Sequence, residues 1–549
     1  MSMDKKKRSV ASNAAFFLIA VIGIVVAVNL ISTRVFGRLD MTDAKVYTLS
    51  PASKEVVRDL KDYLTVKAYI SDTLPPELKS LSRYLRDLLD EYRANSKGKL
   101  KFEAVDPVAA KLEDEASTCG VRKLQIQKME DQKIEVGAYY LGLCLEYEGK
   151  NEALPEIVSL EGVEYQVTSM IKRMTQKKRK LALTNGHGEL DLSQGLQTLQ
   201  KVLSDEFDTT SVNPSTNPIP DDVDALLVAG PKQAFDDKGR HEIDSFLMKG
   251  KGAIFLVDGM AMSSPRGAHP DMGGQMPKVG QANDPGLNDL LKNYGFTVDQ
   301  DFVLDGRQNA PGPVDVGGGR RMLANAPMFV GVQMDANDKD FTPTAGINAL
   351  IFPYASSVEL VGPLKDSKDG KPARGKLWKL AETSPGSWKV SGFFIYSPGT
   401  KLEEAKDAKD RGPFALGYAY EGILRSAYAP PTNAGMSSAD ANDSKKKVRL
   451  MVIGDSDFAS DEYFPISRYL PIYGNGAQFL LNGLGWALED EALTPVRAKT
   501  VTSRPIQLDP DQKVVAIKAF NIIGIPLAFC LFGIFRWRVR GRRRQGQKL

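Results

Sequence analysis

Two short turns carry the side chains best suited to chemistry in this sequence. The first spans 185–189 and reads Asn-Gly-His-Gly-Glu, with Asn185, His187 and Glu189 as its polar members and Asp191 close behind. Its glycines allow close backbone approach, and an imidazole beside a carboxylate can bind a polar ligand or move a proton. The commoner use of such residues is turn geometry, helix capping and packing between domains.

The second turn, 454–457, reads Gly-Asp-Ser-Asp and superficially resembles the nucleophile block of GDS-type lipases and esterases. A serine nucleophile needs a base, and no histidine follows His269, so Ser456 has no base later in the chain. Asp455 and Asp457 could bind a cation together with the first turn, although capping of the following turn is commoner. We therefore predict a ligand or interface loop here, with no catalytic residue.

Composition excludes several classes of site. The 549 residues contain three cysteines and three histidines, which leaves no four-cysteine zinc site and little room for a histidine-rich metal centre. No phosphate-binding G-x-x-x-x-G-K-[ST] loop occurs, so the chain itself does not hydrolyse ATP through one. Cys119 and Cys144 lack C-x-x-C spacing; they form either a structural disulfide or two buried free thiols. We predict no metal and no cofactor.

The elements that position both turns alternate between strand and helix. Apolar strand runs with β-α alternation are typical of a parallel, doubly wound sheet, whose ligand crevice lies beyond the carboxyl ends of the strands. Strands are predicted at 181–184, 225–229, 253–257 and 450–453, and helices near 193–206, 237–249, 284–294 and 475–489. The stretch 306–443 breaks this rhythm, because it is rich in Gly and Pro and contains short strand-like runs.

The preceding part of the chain predicts a smaller domain. A helix begins with Ser50 as N-cap and Pro51 at its first position. Strands at 65–71 and 99–107, helices at 76–94 and near 108–116, and a hairpin around 134–154 follow. This β-α-β-α-β-β order resembles a thioredoxin-like domain. The turn 72–75 after its first strand contains no cysteine, so redox activity of the thioredoxin kind is not expected.

Two apolar segments flank these domains. Residues 14–31 carry no charge, and 514–535 are apolar apart from Lys518 and Asn521, so each can cross a membrane as a helix. Residues 4–8 carry a net charge of +3 and 536–548 carry +7, so the rest of the chain carries −6. Because basic flanks stay in the cytoplasm, both termini are expected there, with the bulk of the chain in the periplasm. A folded basic face is not evident, so no nucleic-acid partner is expected.

Several motifs in a fixed order resemble one family, the auxiliary GldG-type subunits of uncharacterised and gliding-motility-associated ABC transport systems. The resemblance spans nearly the whole chain. Its residues are Tyr47-Thr48-Leu49-Ser50 after the first span, Phe102-Glu103-Ala104-Val105-Asp106-Pro107, the 185–189 turn, Asp224-Ala225-Leu226-Leu227-Val228-Ala229-Gly230-Pro231, Gly454-Asp455-Ser456-Asp457-Phe458, Asn475-Gly476-Ala477-Gln478-Phe479-Leu480-Leu481-Asn482 and the closing span.

The resemblance implies an inner-membrane subunit that works beside a separate permease and a separate cytoplasmic ATPase. It also implies a Rossmann-like sheet domain similar to glutamine-amidotransferase-like domains. Those enzymes use a cysteine on a sharp turn, and none occurs between Cys144 and Cys530, so that activity is not carried over. The leading hypothesis is a non-enzymatic, substrate-contacting auxiliary subunit. The alternative is a membrane-tethered periplasmic protein that binds or hydrolyses an envelope glycan such as peptidoglycan.

These observations divide the chain into eight segments of an anchored α/β protein. They are a cytoplasmic basic tail (1–13), a transmembrane helix (14–33), a thioredoxin-like domain (34–160), a Rossmann-like domain (161–305 and 444–490), a β-rich insertion (306–443), a linker (491–513), a second transmembrane helix (514–535) and a second basic tail (536–549).

Overall fold

The computed structural model describes residues 48–130, 133–160, 162–263, 278–315, 321–334, 341–365, 374–396, 407–428 and 443–489, with isolated residues at 20–21, 23–24, 493, 496, 532–533, 536 and 538. Within them the chain is a mixed α/β structure with several sheets and eight α-helices. The helices are α1 (Pro51–Arg58), α2 (Pro76–Asn95), α3 (Glu113–Cys119), α4 (Val163–Thr175), α5 (Gln197–Glu206), α6 (Asp237–Met248), α7 (Asn288–Tyr294) and α8 (Gly474–Ala487).

Twenty-two β-strands accompany these helices in the described residues. They are β1 (Leu64–Ile70), β2 (Leu100–Val105), β3 (Lys123–Glu130), β4 (Lys133–Tyr147), β5 (Lys150–Leu154), β6 (Lys180–Thr184), β7 (Asp208–Val212), β8 (Ala225–Ala229), β9 (Gly252–Leu256), β10 (Met260–Ser263), β11 (Lys278–Ala282), β12 (Phe296–Val298), β13 (Asp301–Asp305), β14 (Asn309–Asp315), β15 (Arg321–Gln333), β16 (Ala349–Pro353), β17 (Val358–Leu360), β18 (Gly375–Glu382), β19 (Ser387–Ser391), β20 (Phe394–Tyr396), β21 (Ala415–Gly422) and β22 (Val448–Ile453).

The two predicted membrane segments lie outside the described residues, apart from isolated positions such as 20–21 and 532–533. Among the helices that the structure does describe, none is both long enough and apolar enough to cross a membrane. The spans at 14–33 and 514–535 therefore stay predictions.

The first sheet has the order β2-β1-β4-β3, with β5 paired to β4. Strands β1 and β2 are parallel, and the other pairs are antiparallel. The helix predicted near 108–116 begins later, at Glu113, because the Asp106 carboxylate accepts the backbone N–H groups of Val108 and Ala109 and holds a turn there. Strand β3 was not predicted.

A disulfide joins Cys119, at the end of α3, to Cys144 on β4. The Cα atoms of the two residues are 6.1 Å apart. Of the two states that the sequence left open, the structure therefore has the bonded one, and the bond ties a short helix to the middle of the sheet.

Helix α4 packs on the first sheet, although the sequence grouped it with the second. Its apolar residues Val167 and Ile171 share one buried cluster with α1, α2 and the first sheet. The Glu164 carboxylate accepts the Ser50 backbone N–H at 2.8 Å and the Ser53 hydroxyl at 2.8 Å. Ser50 also caps α1 by accepting the Ser53 backbone N–H, as predicted. The start of the described chain is thus fastened to α4.

The second sheet has the order β18-β21-β22-β9-β8-β6-β7. The five strands from β22 to β7 are parallel, and β21 and β18 extend the edge as antiparallel strands. Successive residues of a strand point to opposite faces. Accordingly, α5 and α8 pack on one face and α6 and α7 on the other, each over its own buried apolar cluster.

The stretch 306–443 was predicted to be a β-rich insertion. Its described residues contain strands and no α-helix. Four smaller sheets involve this stretch or its flanks, with the orders β10-β11-β20, β12-β17, β13-β19 and β14-β15-β16. Two of its strands, β18 and β21, belong to the seven-stranded sheet instead, so the stretch is continuous with the second sheet's core.

Candidate functional site

The carboxyl ends of four parallel strands place the predicted turns on one edge of the second sheet. Strands β6, β8, β9 and β22 are adjacent and parallel, so the segments that follow them, 185–191, 230–232, 257–259 and 454–457, emerge together. Two clusters of polar side chains form there. We call them the histidine cluster (His187, Glu189, Ser215, Phe235, Asp236) and the aspartate cluster (Asp258, Asp455, Ser456, Asp457).

In the histidine cluster both nitrogens of the His187 ring have partners. Nδ1 lies 3.2 Å from Glu189 Oε1, and Nε2 lies 3.0 Å from Ser215 Oγ. The His187 backbone N–H also donates to Glu189 Oε2 at 2.6 Å. The ring stacks on Phe235 with 3.8 Å between centroids, and the His187 residue is only 6% exposed. The imidazole is therefore held on two sides and covered on one face.

The hydrogen bonds continue from Ser215 to Asp236. The Ser215 hydroxyl bonds the Asp236 carboxylate and lowers its pKa, helped by the Gly239 backbone N–H. That N–H donates to Asp236 Oδ1 at 2.8 Å, so Asp236 is also the N-cap of α6. The series carboxylate, imidazole, hydroxyl, carboxylate thus connects the segment after β6, the segment after β7 and the start of α6.

This series has the order of groups found in a hydrolase triad, but its second carboxylate changes the chemistry. A nucleophilic serine must give its proton to the histidine. Here the Ser215 hydroxyl bonds the Asp236 carboxylate as well as His187, and a carboxylate is the stronger acceptor. The arrangement therefore suits a positioning network better than an activated nucleophile.

The aspartate cluster lies between β9 and β22. The Ser456 backbone N–H donates to Asp258 Oδ1 at 2.7 Å, and its hydroxyl donates to Oδ2 at 2.6 Å. Ser456 therefore faces a carboxylate and not a histidine. Gly230 must be glycine here: its φ is +61°, and a Cβ would lie 2.4 Å from Ser456 Oγ.

Asp455 is the most deeply buried carboxylate of this cluster. It is 0% exposed, and Oδ1 accepts the Asp457 backbone N–H at 2.7 Å. This bond caps the short turn that follows, as the sequence favoured. Oδ2 has no hydrogen-bond partner among the described residues. Burial raises the pKa of Asp455 well above its usual range, and the nearby charges of Asp457 and Asp258 raise it further. Burial also raises the pKa of Asp258.

The remaining predicted residues hold the backbone of the edge. Asp191 accepts the backbone N–H groups of Ser193 and Gln194 and the Ser193 hydroxyl, and these bonds lower its pKa. The Asn185 backbone N–H donates to Val212 O at 2.9 Å, which joins the first turn to the end of β7. In the described part of the chain, no group of three or more His, Cys, Asp or Glu residues could hold a metal ion.

Three residues that contribute to this edge were not predicted from the sequence. Asp258 could have been found, because it directly follows the predicted strand 253–257 and so must lie at the same edge. Ser215 and Asp461 carried no comparable signal. Asp461 accepts the backbone N–H groups of Gln197 at 2.6 Å and Thr198 at 2.8 Å, so it caps α5 from 263 residues further along the chain. The two clusters are not in direct contact; segment 230–232 lies between them, with Gly230 against Ser456 and Lys232 against Gly188.

Comparison with known proteins covers both sheets. Residues 178–483 match the family described as an ABC-type uncharacterized transport system, and residues 43–146 match a domain of unknown function. An uncharacterized protein of Borreliella burgdorferi is 21% identical over 523 residues, which are 92% of this chain and 94% of that protein. A solved structure, the mmIFT52 N-terminal domain, has 13% identity and a TM-score of 0.31, over 56% of this chain and 96% of that chain.

The family model covers more than half of the chain, including both side-chain clusters and all seven strands of the second sheet. It confirms the resemblance that the ordered motifs carried, at the level of the transport-associated family. The chain belongs to the family of ABC-type uncharacterized transport system proteins.

Proposed function

We propose that this chain is a non-enzymatic auxiliary subunit of an inner-membrane ABC transport system, working beside a separately encoded permease and ATPase. The observation that carries the proposal is the family match over 178–483. The sequence has no G-x-x-x-x-G-K-[ST] loop, so the proposal assigns ATP hydrolysis to the separate ATPase.

The hydrogen bonding at the sheet edge supports a non-enzymatic role. Ser215 and Ser456 each bond a carboxylate, and His187 is enclosed between Glu189, Ser215 and Phe235. These groups fix loop positions and therefore suit a surface that contacts a substrate or partner. We propose 185–191, where Gly186 and Gly188 are exposed, as that contact surface, with the largely buried segment 454–457 fixing the neighbouring part of the edge.

The disulfide supports a periplasmic location for the body. Disulfides persist in oxidising compartments such as the periplasm and are rare in the cytosol. Cys119 and Cys144 are bonded in the first sheet domain. We therefore propose a two-pass inner-membrane protein with both termini in the cytoplasm and residues 34–513 in the periplasm, comprising a thioredoxin-like and a Rossmann-like domain.

Coupling to the permease is proposed to run through the two membrane spans. The first span leads to the segment at Ser50, which Glu164 fastens to α4. Helix α4 ends five residues before β6, the strand that carries the 185–189 turn. A displacement at Ser50 can thus reach α4 through buried polar contacts, and the chain continues from α4 into β6.

Affinity purification of the tagged full-length chain from native membranes in mild detergent tests the proposal. A multi-span permease and a P-loop ATPase should accompany it in fixed stoichiometry. Protease added outside spheroplasts should cleave the body and leave both tagged termini intact. Recovery of the chain without permease and ATPase, or protection of the body from external protease, would contradict the proposal.

A second candidate function, a tethered glycan binder or hydrolase, is favoured by one observation: the Glu189–His187–Ser215 series at hydrogen-bond distances. His187→Ala, Ser215→Ala and Asp455→Ala discriminate between the two. If this candidate is right, each should abolish function without lowering expression or melting temperature. If each lowers the melting temperature instead, the residues are structural and the auxiliary-subunit proposal stands.

A further inference from the structure

The edge of the second sheet opposite the two clusters carries an excess of basic residues. A cavity of about 170 Å³ opens there, and its cationic lining residues define what we call the basic edge: Arg179, Lys249, Lys251, Lys446, Lys447 and Arg449. Only two acidic residues, Asp224 and Glu489, share the lining. This concentration of positive charge contrasts with the body of the chain, which carries a net charge of −6.

The sheet topology brings these cations together from three distant runs. Arg179 directly precedes β6, Lys249 and Lys251 precede β9, and Lys446 and Lys447 precede β22. Parallel strands begin at the same edge, so the three basic runs must converge there. The sequence shows them as separate short runs, which is why a folded basic face was not predicted.

The six cations of the basic edge outnumber the four carboxylates beside them, Asp221, Asp224, Glu421 and Glu489, so the edge stays positive. Asp221 pairs with Lys249 at 2.6 Å, and two other carboxylates are each shared between two cations. Asp224 lies 3.6 Å from Arg179 and 3.9 Å from Lys251, and one charge therefore serves two cations. Glu421 is shared in the same way, at 3.9 Å from Lys447 and 3.0 Å from Arg449.

Two further features open the basic edge to a ligand. Lys446 has no carboxylate within 4.0 Å among the described residues, since the ion pairs of this edge involve its neighbours. Gly250 has φ +82°, and a Cβ there would lie 2.7 Å from Lys446 Cβ, so the glycine allows the two lysine runs to approach each other.

The chain leaves the sheet at this same edge. Helix α8 ends at Ala487, which lines the cavity together with Glu489. Leu493 is buried beside a second basic run, next to Lys177 and Lys178. From here the predicted linker leads to the predicted span at 514–535. The described chain therefore passes the basic edge shortly before the predicted linker.

We propose that the basic edge binds the phosphate groups of anionic lipids in the outer leaflet of the inner membrane. Clustered Lys and Arg beside a membrane span recognise anionic headgroups, and each cation near the surface strengthens the attraction. The inference rests on the proposed membrane anchoring. Nucleic acid is the alternative polyanionic ligand. A long nucleic acid would extend beyond the basic edge and meet the rest of the body, whose net negative charge repels it.

Thermal unfolding of the full-length protein in neutral detergent tests the inference, with phosphatidylglycerol, phosphatidylcholine, inorganic phosphate or a single-stranded oligonucleotide added in separate samples. Phosphatidylglycerol should raise the melting temperature at low salt, and the effect should fade at high salt. Phosphatidylcholine should have no effect. An equal rise with inorganic phosphate or with the oligonucleotide would overturn the lipid assignment.

A matched pair of triple variants locates the binding. Lys249→Gln/Lys446→Gln/Lys447→Gln removes three exposed cations from the basic edge, whereas Lys61→Gln/Lys79→Gln/Lys150→Gln removes three exposed cations from the first domain. The first triple should weaken the apparent lipid affinity by about fivefold per lysine, and the second should leave it unchanged. Equal affinity of both triples would overturn the proposal.

Two controls keep this outcome interpretable. The melting temperatures of both triples without lipid report folding. The basic tails at 4–8 and 536–548 are the same in both, so they cannot produce a difference between the variants. The assay uses the purified chain alone, so failure here leaves the permease test of the proposed function unaffected, and the reverse also holds.

Discussion

The His187 imidazole links two loops through its two ring nitrogens. We therefore expect its removal to lower the free energy of unfolding. His187→Ala removes the bonds to Glu189 and Ser215 and the stacking on Phe235. The Glu189 side chain is 1% exposed, so water cannot readily replace the lost partner. We expect a loss of about 2–3 kcal/mol in the free energy of unfolding, measured by urea titration.

His241 supplies the matched control for that variant. It is exposed and makes an edge contact with Tyr428 at 4.8 Å. His241→Ala should change the free energy of unfolding by no more than about 0.5 kcal/mol. Equal stability of His187→Ala and His241→Ala would contradict a structural role for His187.

The buried Asp455 carboxylate allows a stability prediction whose size depends on pH. Its folded-state pKa is raised by burial, Asp457 and Asp258, so its contribution to stability is complete below the unfolded pKa near 3.8 and is lost as the pH rises through the folded pKa. Asp455→Asn cannot ionise. We expect it to raise the free energy of unfolding at pH 7 by roughly 1 kcal/mol or more, and to have little effect near pH 3.5.

Asp191 provides a control of opposite sign. Its pKa is lowered by the Ser193 hydroxyl and by two backbone N–H groups, so its contribution is present above pH 3.8 and is lost as the pH falls. Asp191→Asn should therefore destabilise the protein at neutral pH. Urea titrations of both variants at pH 3.5 and 7 give the comparison; a stabilised Asp191→Asn and a destabilised Asp455→Asn at pH 7 would refute the argument.

The same residues show which contacts of the site can be predicted from neighbouring residues in the sequence. Asp455 and Asp191 act through backbone N–H groups two or three positions ahead, and turn chemistry of that range can be predicted from the sequence. The partners Ser215 of His187 and Asp258 of Ser456 lie 28 and 198 residues away. Such pairs follow only once the strand order is known.

At the scale of single elements, helix α5 depends on a residue far from it in sequence. Asp461 accepts the backbone N–H groups of Gln197 and Thr198, so it serves as the N-terminal cap that Leu196, the local N-cap residue, does not provide. Asp461→Ala should cost about 1 kcal/mol in the free energy of unfolding. Asp461→Asn keeps one acceptor oxygen and should lose less; an equal loss in both variants would exclude capping as the cause.

Strand prediction succeeded where the apolar run was continuous and failed where it was not. Strands β8 and β9 are buried along their whole length, and their apolar runs between turn residues identified them within one residue. Strand β18 reads GKLWKLAE and is mostly half-exposed or exposed, so nothing local marked it as part of the large sheet. Its place depends on antiparallel pairing with β21, which lies about 40 residues further on.

The helix bounds show the same dependence on local chemistry. Helices α6 and α8 begin within one residue of the predicted positions, while α5 begins four residues late. The delay arises because the Asp191 turn and the Gly195 bend, with φ +92°, occupy the residues in between. The periodic pattern alone did not reveal that turn.

At the scale of the whole molecule, the two large sheets have separate cores. This raises the question of whether they unfold in one cooperative transition. The buried apolar cluster of the first sheet includes α4, and the two clusters of the second sheet share no residue with it. Polar contacts cross between them: the Tyr165 hydroxyl bonds Glu206, Lys178 Nζ donates to Ser204 O at 2.5 Å, and Arg173 lies 4.0 Å from Asp205.

Separate cores joined by polar contacts should unfold separately. We expect two transitions in calorimetry of the full-length protein in detergent, one for each sheet with its helices. Because a disulfide that closes a loop of about 25 residues contributes roughly 3 kcal/mol, Cys119→Ser/Cys144→Ser should lower only the transition of the first sheet. Cys530→Ser, which removes the third cysteine, should move neither transition.

A second measurement, hydrogen exchange, assigns each thermal transition to one of the two sheets. Hydrogen exchange near the lower midpoint of the double variant should show β1 and β4 exposed while β8 and β9 remain protected, since the last two belong to the other core. A single transition that the double variant shifts as a whole would mean that the polar contacts couple both sheets tightly. That outcome would contradict the prediction that the two sheets unfold separately.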